Sequence, residues 1–299
     1  MALSLMALLC IGAIGYLAQT TGLCMVRGVN EAASGKPLFL LAILFSGAFS
    51  WVSLLWAHFF DLTAPFSSFE ATWFALAGGL LFGVGAALNN GCGVSTISKL
   101  ARGQLGMFAT VAGWLIGWIL LTFLVLDVEK VALAVPQELH YGALAGLSVL
   151  ILIWLVFLKP RDRKIWLSML MIGLLAGFAF LYEPKWTPSG LLKDISYSIW
   201  SDDQRIWPNN YRFVLMVALL LGMITAAVRT GSFLLEKPGL RVLGNHLIAG
   251  ILMGVGAAIA SGGNDSQLLL GLPSLSPAGL VTVLAMLLGI FVGRKLRFV

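Results

Sequence analysis

The chain has 299 residues, 59% hydrophobic and 11% charged, with a mean hydropathy of +0.95. Soluble domains carry about 25% charged residues, so this composition excludes a soluble enzyme or binding domain and describes a polytopic membrane protein. The formal charge of +6 reflects membrane topology rather than a nucleic-acid or other anionic macromolecular partner, because of where the charges fall.

A span needs about 17–25 apolar residues. That rule predicts nine helices, at 2–19, 37–60, 70–90, 106–126, 140–158, 165–182, 211–229, 243–261 and 277–293. The first run, M-A-L-S-L-M-A-L-L-C, lacks the basic region of a signal peptide and reads as a span. Arg27 and Lys36 follow span one, and Lys99 and Arg102 follow span three. Lys159, Arg161, Arg163 and Lys164 follow span five, Arg229, Lys237 and Arg241 span seven, and Arg294, Lys295 and Arg297 span nine. Lys130, Lys185, Lys193, Arg205 and Arg212 occupy the other side, with most of the acids. The positive-inside rule therefore predicts an outside N-terminus and a cytoplasmic C-terminus, as in a multi-pass protein of a bacterial inner membrane. The longest external segment, 183–210, carries Trp186, Tyr197, Trp200 and Trp207. These suit either a short helix lying in the interface or a surface loop with aromatic anchors.

One pattern recurs at a distance. The stretch G-V-G-A-A-L-N-N-G-C-G-V-S (83–95) lies 171 positions before G-V-G-A-A-I-A-S-G-G-N-D-S (254–266). The identities run through Gly83/Gly254, Val84/Val255, Gly85/Gly256, Ala86/Ala257, Ala87/Ala258, Gly91/Gly262 and Ser95/Ser266. Two unrelated small-residue helix interfaces would match in glycine and alanine, but the match continues into the polar break. Span three runs inward and span eight outward, so the copies have opposite orientation. The expected architecture is an all-α bundle of two inverted repeats with re-entrant broken helices. Residues 1–130 hold spans one to four, 131–160 a connecting span five, and 161–299 spans six to nine. Broken helices from inverted repeats, meeting near the midplane, are a transporter architecture.

The element L-N-N-G-C-G-V-S-T (88–96), with T-G-L-C-M-V-R-G (21–28) and the second break near the C-terminus, resembles the YeeE/YedE sulfur-transport family. The resemblance covers essentially the whole chain. It implies a bundle with loops dipping in from both faces that carries thiosulfate or a related small sulfur anion into the cell, where a cytoplasmic sulfur-accepting protein would receive it.

Cys92 is flanked by Gly91 and Gly93, which let a ligand approach the backbone. Ser95 and Thr96 follow, with Ser95 a candidate cap for the helix resuming at Ile97. The N-terminus of a re-entrant helix offers free N–H groups and a positive dipole end to an anion. Cys24 has similar surroundings, with threonines and a glycine before it and Arg27 after. A neutral thiol donates a weak S–H bond without adding charge, so both are expected protonated during transport. Cys10, mid-span, reads as packing. Asn89 and Asn90 either bind substrate or close the broken helix. Lys99, Arg102 and Arg27 either draw an anion through or serve topology.

The resemblance implies a further cysteine in the second break, but Gly263 stands opposite Cys92, followed by Asn264 and Asp265. An ionisable residue in a membrane dip is a functional candidate. Asp265 is expected to be protonated, paired with a cation such as Arg27, a coupling-proton site, or a helix cap at the external surface.

The three cysteines form no CxxC pair, and His58, His140 and His246 form no cluster, so no disulfide framework, metal or cofactor is expected. No P-loop, Rossmann fingerprint or HExxH motif is present, and no catalytic residue is assigned. Two rivals to the permease stand. One is a membrane sulfurtransferase with a persulfide on Cys92 resolved by Cys24; it needs a neighbouring base or cation, and no His or Lys adjoins Cys92. The other is a transporter of a different small solute.

Overall fold

The structure, a computed structural model, describes residues 2–122, 130–201 and 205–296. Apolar runs in hydrocarbon must close their own backbone hydrogen bonds, which makes helices of them. In chain order these are α1 (Ala2–Thr21), α2 (Met25–Ala33), α3 (Leu38–Leu44), a 3-10 turn (Ser46–Phe49), α4 (Ser50–Phe59), α5 (Trp73–Leu88), α6 (Gly93–Ala101) and α7 (Met107–Thr122). There follow α8 (Gln137–Phe157), α9 (Pro160–Tyr182), α10 (Pro188–Ser201), α11 (Asn210–Arg229), α12 (Leu240–Ile259), α13 (Asn264–Ser266) running into a π-turn (Gln267–Gly271), and α14 (Pro277–Leu296). One short antiparallel ladder joins β1 (Ser68–Phe69) to β2 (Ala132–Leu133), with Ser68 opposite Leu133.

Among the described residues, eight helical stretches are long and apolar enough to cross a membrane. The chain is thus an all-α, multi-pass membrane protein. The fourth predicted span, 106–126, is the 16-residue α7; its last four positions lie outside the described residues, as do Arg297 and positions 202–204 of the segment 183–210. The predicted span 37–60 is divided by the 3-10 turn.

Three long helices end in the same way inside the bundle. After α5, the Gly91 N–H bonds the Ala86 carbonyl at 2.9 Å and the Asn90 N–H that of Ala87 at 3.0 Å. After α12, Gly262 and Ser261 repeat this with Ala257 and Ala258 at 2.8 and 3.1 Å. After α1, Leu23 bonds Ala18 at 2.9 Å and Gly22 bonds Gln19 at 3.2 Å. This is the Schellman termination, which satisfies the last carbonyls and turns the chain through a left-handed residue. Gly22, Asn90 and Ser261 supply it, with φ of 66°, 55° and 59°. The backbone of the second break therefore repeats that of the first, 171 positions on.

Small residues set how closely the spans approach. A Cβ on Gly254 of α12 would collide with the Trp114 carbonyl of α7, and one on Gly83 of α5 with the Met286 carbonyl of α14. Backbone-to-backbone contact of this kind substitutes for a hydrophobic driving force that lipid does not supply.

The segment 183–210 differs from both expectations. It does form a helix, α10, but Trp186, Thr187, Ser189, Asp194, Ser196 and Ser198 are all buried. An ion cluster holds its position: Arg212 of α11 donates to Asp194 Oδ2 at 2.7 Å, and Lys185 reaches the same oxygen at 3.0 Å. The helix packs against α7 and α13 inside the bundle.

Gly254→Val is expected to destabilise the protein by about 1–3 kcal/mol through overpacking, lowering the unfolding midpoint of detergent-solubilised protein. Gly142→Ala, in α8 with open space around it, is expected to leave that midpoint unchanged or raise it, by at most about 1 kcal/mol.

Candidate functional site

Cys24 stands immediately before α2 and Cys92 immediately before α6, both with extended backbone (ψ 120° and 178°). Their side chains are in mutual contact. The Cys24 sulfur faces the Arg27 N–H, and the Cys92 sulfur those of Ser95 and Met25, without closing a cap hydrogen bond. Two nine-residue helices thus aim their positive ends at one pair of thiols, an arrangement suited to an anion. Helix α6 resumes at Gly93, so Ser95 lies in its first turn instead of capping a helix at Ile97; its hydroxyl bonds the Cys92 carbonyl at 3.1 Å. Cys10, in α1, is half-buried.

The two asparagines have different surroundings. Asn89 is fully buried, and its Nδ2 donates to the Gly91 carbonyl at 2.9 Å and to Thr96 Oγ1 at 2.8 Å. Its Oδ1 accepts from Thr110 Oγ1 at 2.7 Å and meets His246 Nδ1 at 2.8 Å. Asn89 therefore closes the break, and Thr96, which also donates to the Cys92 carbonyl at 2.9 Å, belongs to the same network. Asn90 lines an open vestibule, its carbonyl accepting from Lys99 Nζ at 2.8 Å.

The second break meets the first directly. The Gly93 N–H donates to Asn264 Oδ1 at 3.1 Å, a bond between positions that the 171-residue repeat makes equivalent. The Trp114 ring covers both: a Cβ on Gly93 would lie 2.7 Å from its Cη2, and one on Gly263 3.2 Å from its Cζ2.

Asp265 is 3% exposed. Its Oδ2 accepts the Ser189 N–H at 2.8 Å, so it caps the start of α10 from across the site, in the interior and not at a surface. Its Oδ1 is buried with no hydrogen-bond partner among the described residues. Arg27 is not its counter-ion. That guanidinium bonds Glu31 at 2.7 Å and the Thr21 carbonyl at 3.1 Å, and lies 4.0 Å over the Phe39 ring.

Cavities flank this centre. A vestibule of about 580 Å³ is lined by Cys24, Ser95, Asn90, Arg27, Lys99 and Arg102. A cavity of about 180 Å³, lined by Lys130, Glu70, Thr72, Ser266 and Gln267, opens at the Trp73 end of α5. Helix α5, 16 residues and about 24 Å long, has one cavity at each end. Between them lies a void of about 20 Å³, bounded by Leu23, Ile43, Cys92, Asp265, Leu268 and Leu269. It has room for about one water, so the route between the cavities is closed.

Sequence reasoning missed Thr187, Ser189 and Trp114. The Ser266 hydroxyl contacts those of Ser189 at 2.6 Å and Thr187 at 3.2 Å. Their signal was faint: a T-P-S start of a helix in a segment read as peripheral.

Comparison with known proteins finds a family and a curated relative. A family model described as sulphur transport matches twice, over residues 21–165 and 158–292. A curated relative, the thiosulfate transporter TsuA of Spirochaeta thermophila, is 24% identical over 255 residues, covering 72% of this chain and 74% of its own.

The open vestibule at Cys24 and the burial of Cys92 set an order of reactivity. In a Cys10→Ala protein, a charged thiol reagent reaching the Lys99 side is expected to label Cys24 before Cys92. Peptide mass spectrometry over a time course checks this order.

Proposed function

Since the chain belongs to the sulphur transport family, we propose that it is a permease taking up thiosulfate or a related small sulfur anion past Cys92 and Cys24. The observation that carries this reading is the meeting of two thiols at the heads of two helices, between cavities at opposite ends of α5. The name of the Spirochaeta relative supports the substrate.

In this reading the vestibule with Lys99, Arg102 and Arg27 faces the cytoplasm and the Lys130 cavity faces outward. This follows from the cation bias, with the N-terminus outside and the protein in a bacterial inner membrane. Residues 1–130 and 161–299 act as inverted repeats joined by 131–160, and the twofold family match and the repeated break support that division. The anion leaves the outer cavity past the hydroxyls of Ser266, Ser189 and Thr187 and meets Asn264 and Asp265 beside Gly263. It is passed to the thiols of Cys92 and Cys24, where Gly91 and Gly93 keep the backbone close. Ser95 and Asn90 receive it at the vestibule, while Thr96 holds the α6 start in place. Neutral donors replace part of the hydration shell without a tight resting site, which favours conduction. Release into the cationic vestibule delivers sulfur to a cytoplasmic acceptor protein. Because the central void is closed, Leu268, Leu269 and Ile43 must part during each passage.

Cys92→Ala is expected to reduce uptake of labelled thiosulfate into proteoliposomes to the level of protein-free vesicles, with membrane insertion intact. Uptake at the wild-type rate would remove Cys92 from the path. A persulfide found on Cys92 after exposure to thiosulfate would instead assign group-transfer chemistry to the pair.

A further inference from the structure

Asp265 has a carboxyl oxygen without a partner, buried in the bundle centre and lining the same void as Cys92. The opposite side of this carboxyl connects to the outer cavity by hydroxyls. Ser189 approaches Asp265 through its N–H at 2.8 Å and also through its side chain. The Ser189 hydroxyl meets that of Ser266 at 2.6 Å, and Ser266 lines the outer cavity. Towards the vestibule the void is closed by Leu23, Ile43, Met169, Ile172, Leu268 and Leu269, and the polar groups on that side are the Cys92 thiol and the Ser95 hydroxyl, 3.6 Å apart.

An ionised Asp265 in this position repels an anion at close range in a medium of low dielectric. Among the described residues, no Lys or Arg lines the void that Asp265 faces. Among the described residues lining the void, Cys92 just before α6 and Val94 of α6 face it, and α9 presents Met169 and Ile172. The loop before α2 contributes Leu23, α2 Met25, α3 Ile43 and the 3-10 turn Ser46, while α10 supplies Ser189. The Cys92 thiol is the other titratable group there.

We propose that Asp265 is a proton-binding site of the transport path, loaded from the outer cavity through the Ser266 and Ser189 hydroxyls and discharged with the anion into the vestibule. The inference rests on the permease reading above. The proton leaves water in the outer cavity, and each hydroxyl accepts one proton and releases its own. The proton then resides on the Asp265 carboxyl, neutralising it while the anion passes. When the apolar plug opens, it is lost to vestibule water. Uptake is thereby tied to inward proton movement, without a nucleotide or a second ion.

The test uses the full-length protein in proteoliposomes with labelled thiosulfate outside and a pH-sensitive dye inside. Wild-type uptake should accelerate as the outside is acidified, approaching about tenfold per pH unit on the alkaline side of the Asp265 titration, and the interior should acidify with uptake. Asp265→Asn keeps an acceptor for the Ser189 N–H but cannot exchange a proton. It should lose both the acid acceleration and the internal acidification. Wild-type uptake without internal acidification, or an Asp265→Asn protein with unchanged acid response, overturns the proton site and leaves the permease standing. Absence of wild-type thiosulfate uptake at every pH overturns both. Should Asp265→Asn not fold, the dye signal of the wild-type protein decides alone.

Discussion

The hydrogen bond from the Gly93 N–H to Asn264 Oδ1 ties together two helix interruptions that hydrocarbon would otherwise forbid. A broken helix exposes backbone donors and acceptors, and at membrane depth each must be met by protein. Schellman turns meet the carbonyls on one side of each break. On the other side, the first N–H of α6 is met by a side chain from the equivalent break. The first interruption is thus tolerable because the second is present. The thiols, glycines and amides of the site occupy the ground this bond secures.

Much of this architecture was legible in the sequence. Hydropathy located the long helices, and the 171-residue offset found a repeated turn whose hydrogen bonds agree to within about 0.1 Å. The breaks were visible because glycine, asparagine and cysteine stand out in an apolar run. Helix α10 was legible as a helix but misplaced, since its buried face is built from Ser189, Asp194, Ser196 and Ser198. Polarity along a segment reads as exposure unless its partners are known, and these partners, Arg212, Asp265 and Ser266, are distant in sequence. Asn89 poses the same difficulty. Its choice between substrate and structure is settled by Thr110 and His246, which no local pattern connects to it. The 3-10 turn after α3 was hidden because every flanking residue is apolar enough for an uninterrupted span.

The centre combines a wide vestibule, a smaller opposing cavity and almost no volume between them. Such a shape separates the question of where an anion waits from the question of what lets it cross. Waiting is favoured by helix ends and cations, which are fixed features of the fold. In the proposed permease, crossing depends on a few apolar side chains around Cys92 and on the eight residues of α13 and its π-turn. A π-turn has poorer hydrogen-bond geometry than the α-helix around it and is common at functional positions. Its Leu268 and Leu269 line the closed void.

Gly263 looked like a lost thiol when judged from the first break alone. In the structure its Cβ position is bounded by Asp265 Oδ1 at 2.8 Å, the Ser189 Cβ at 3.0 Å and the Trp114 ring at 3.2 Å. A cysteine there and the present carboxyl would compete for one space. A thiol at position 263 and the carboxyl of Asp265 are therefore steric alternatives, and the single hydrogen of Gly263 leaves the space to the carboxyl.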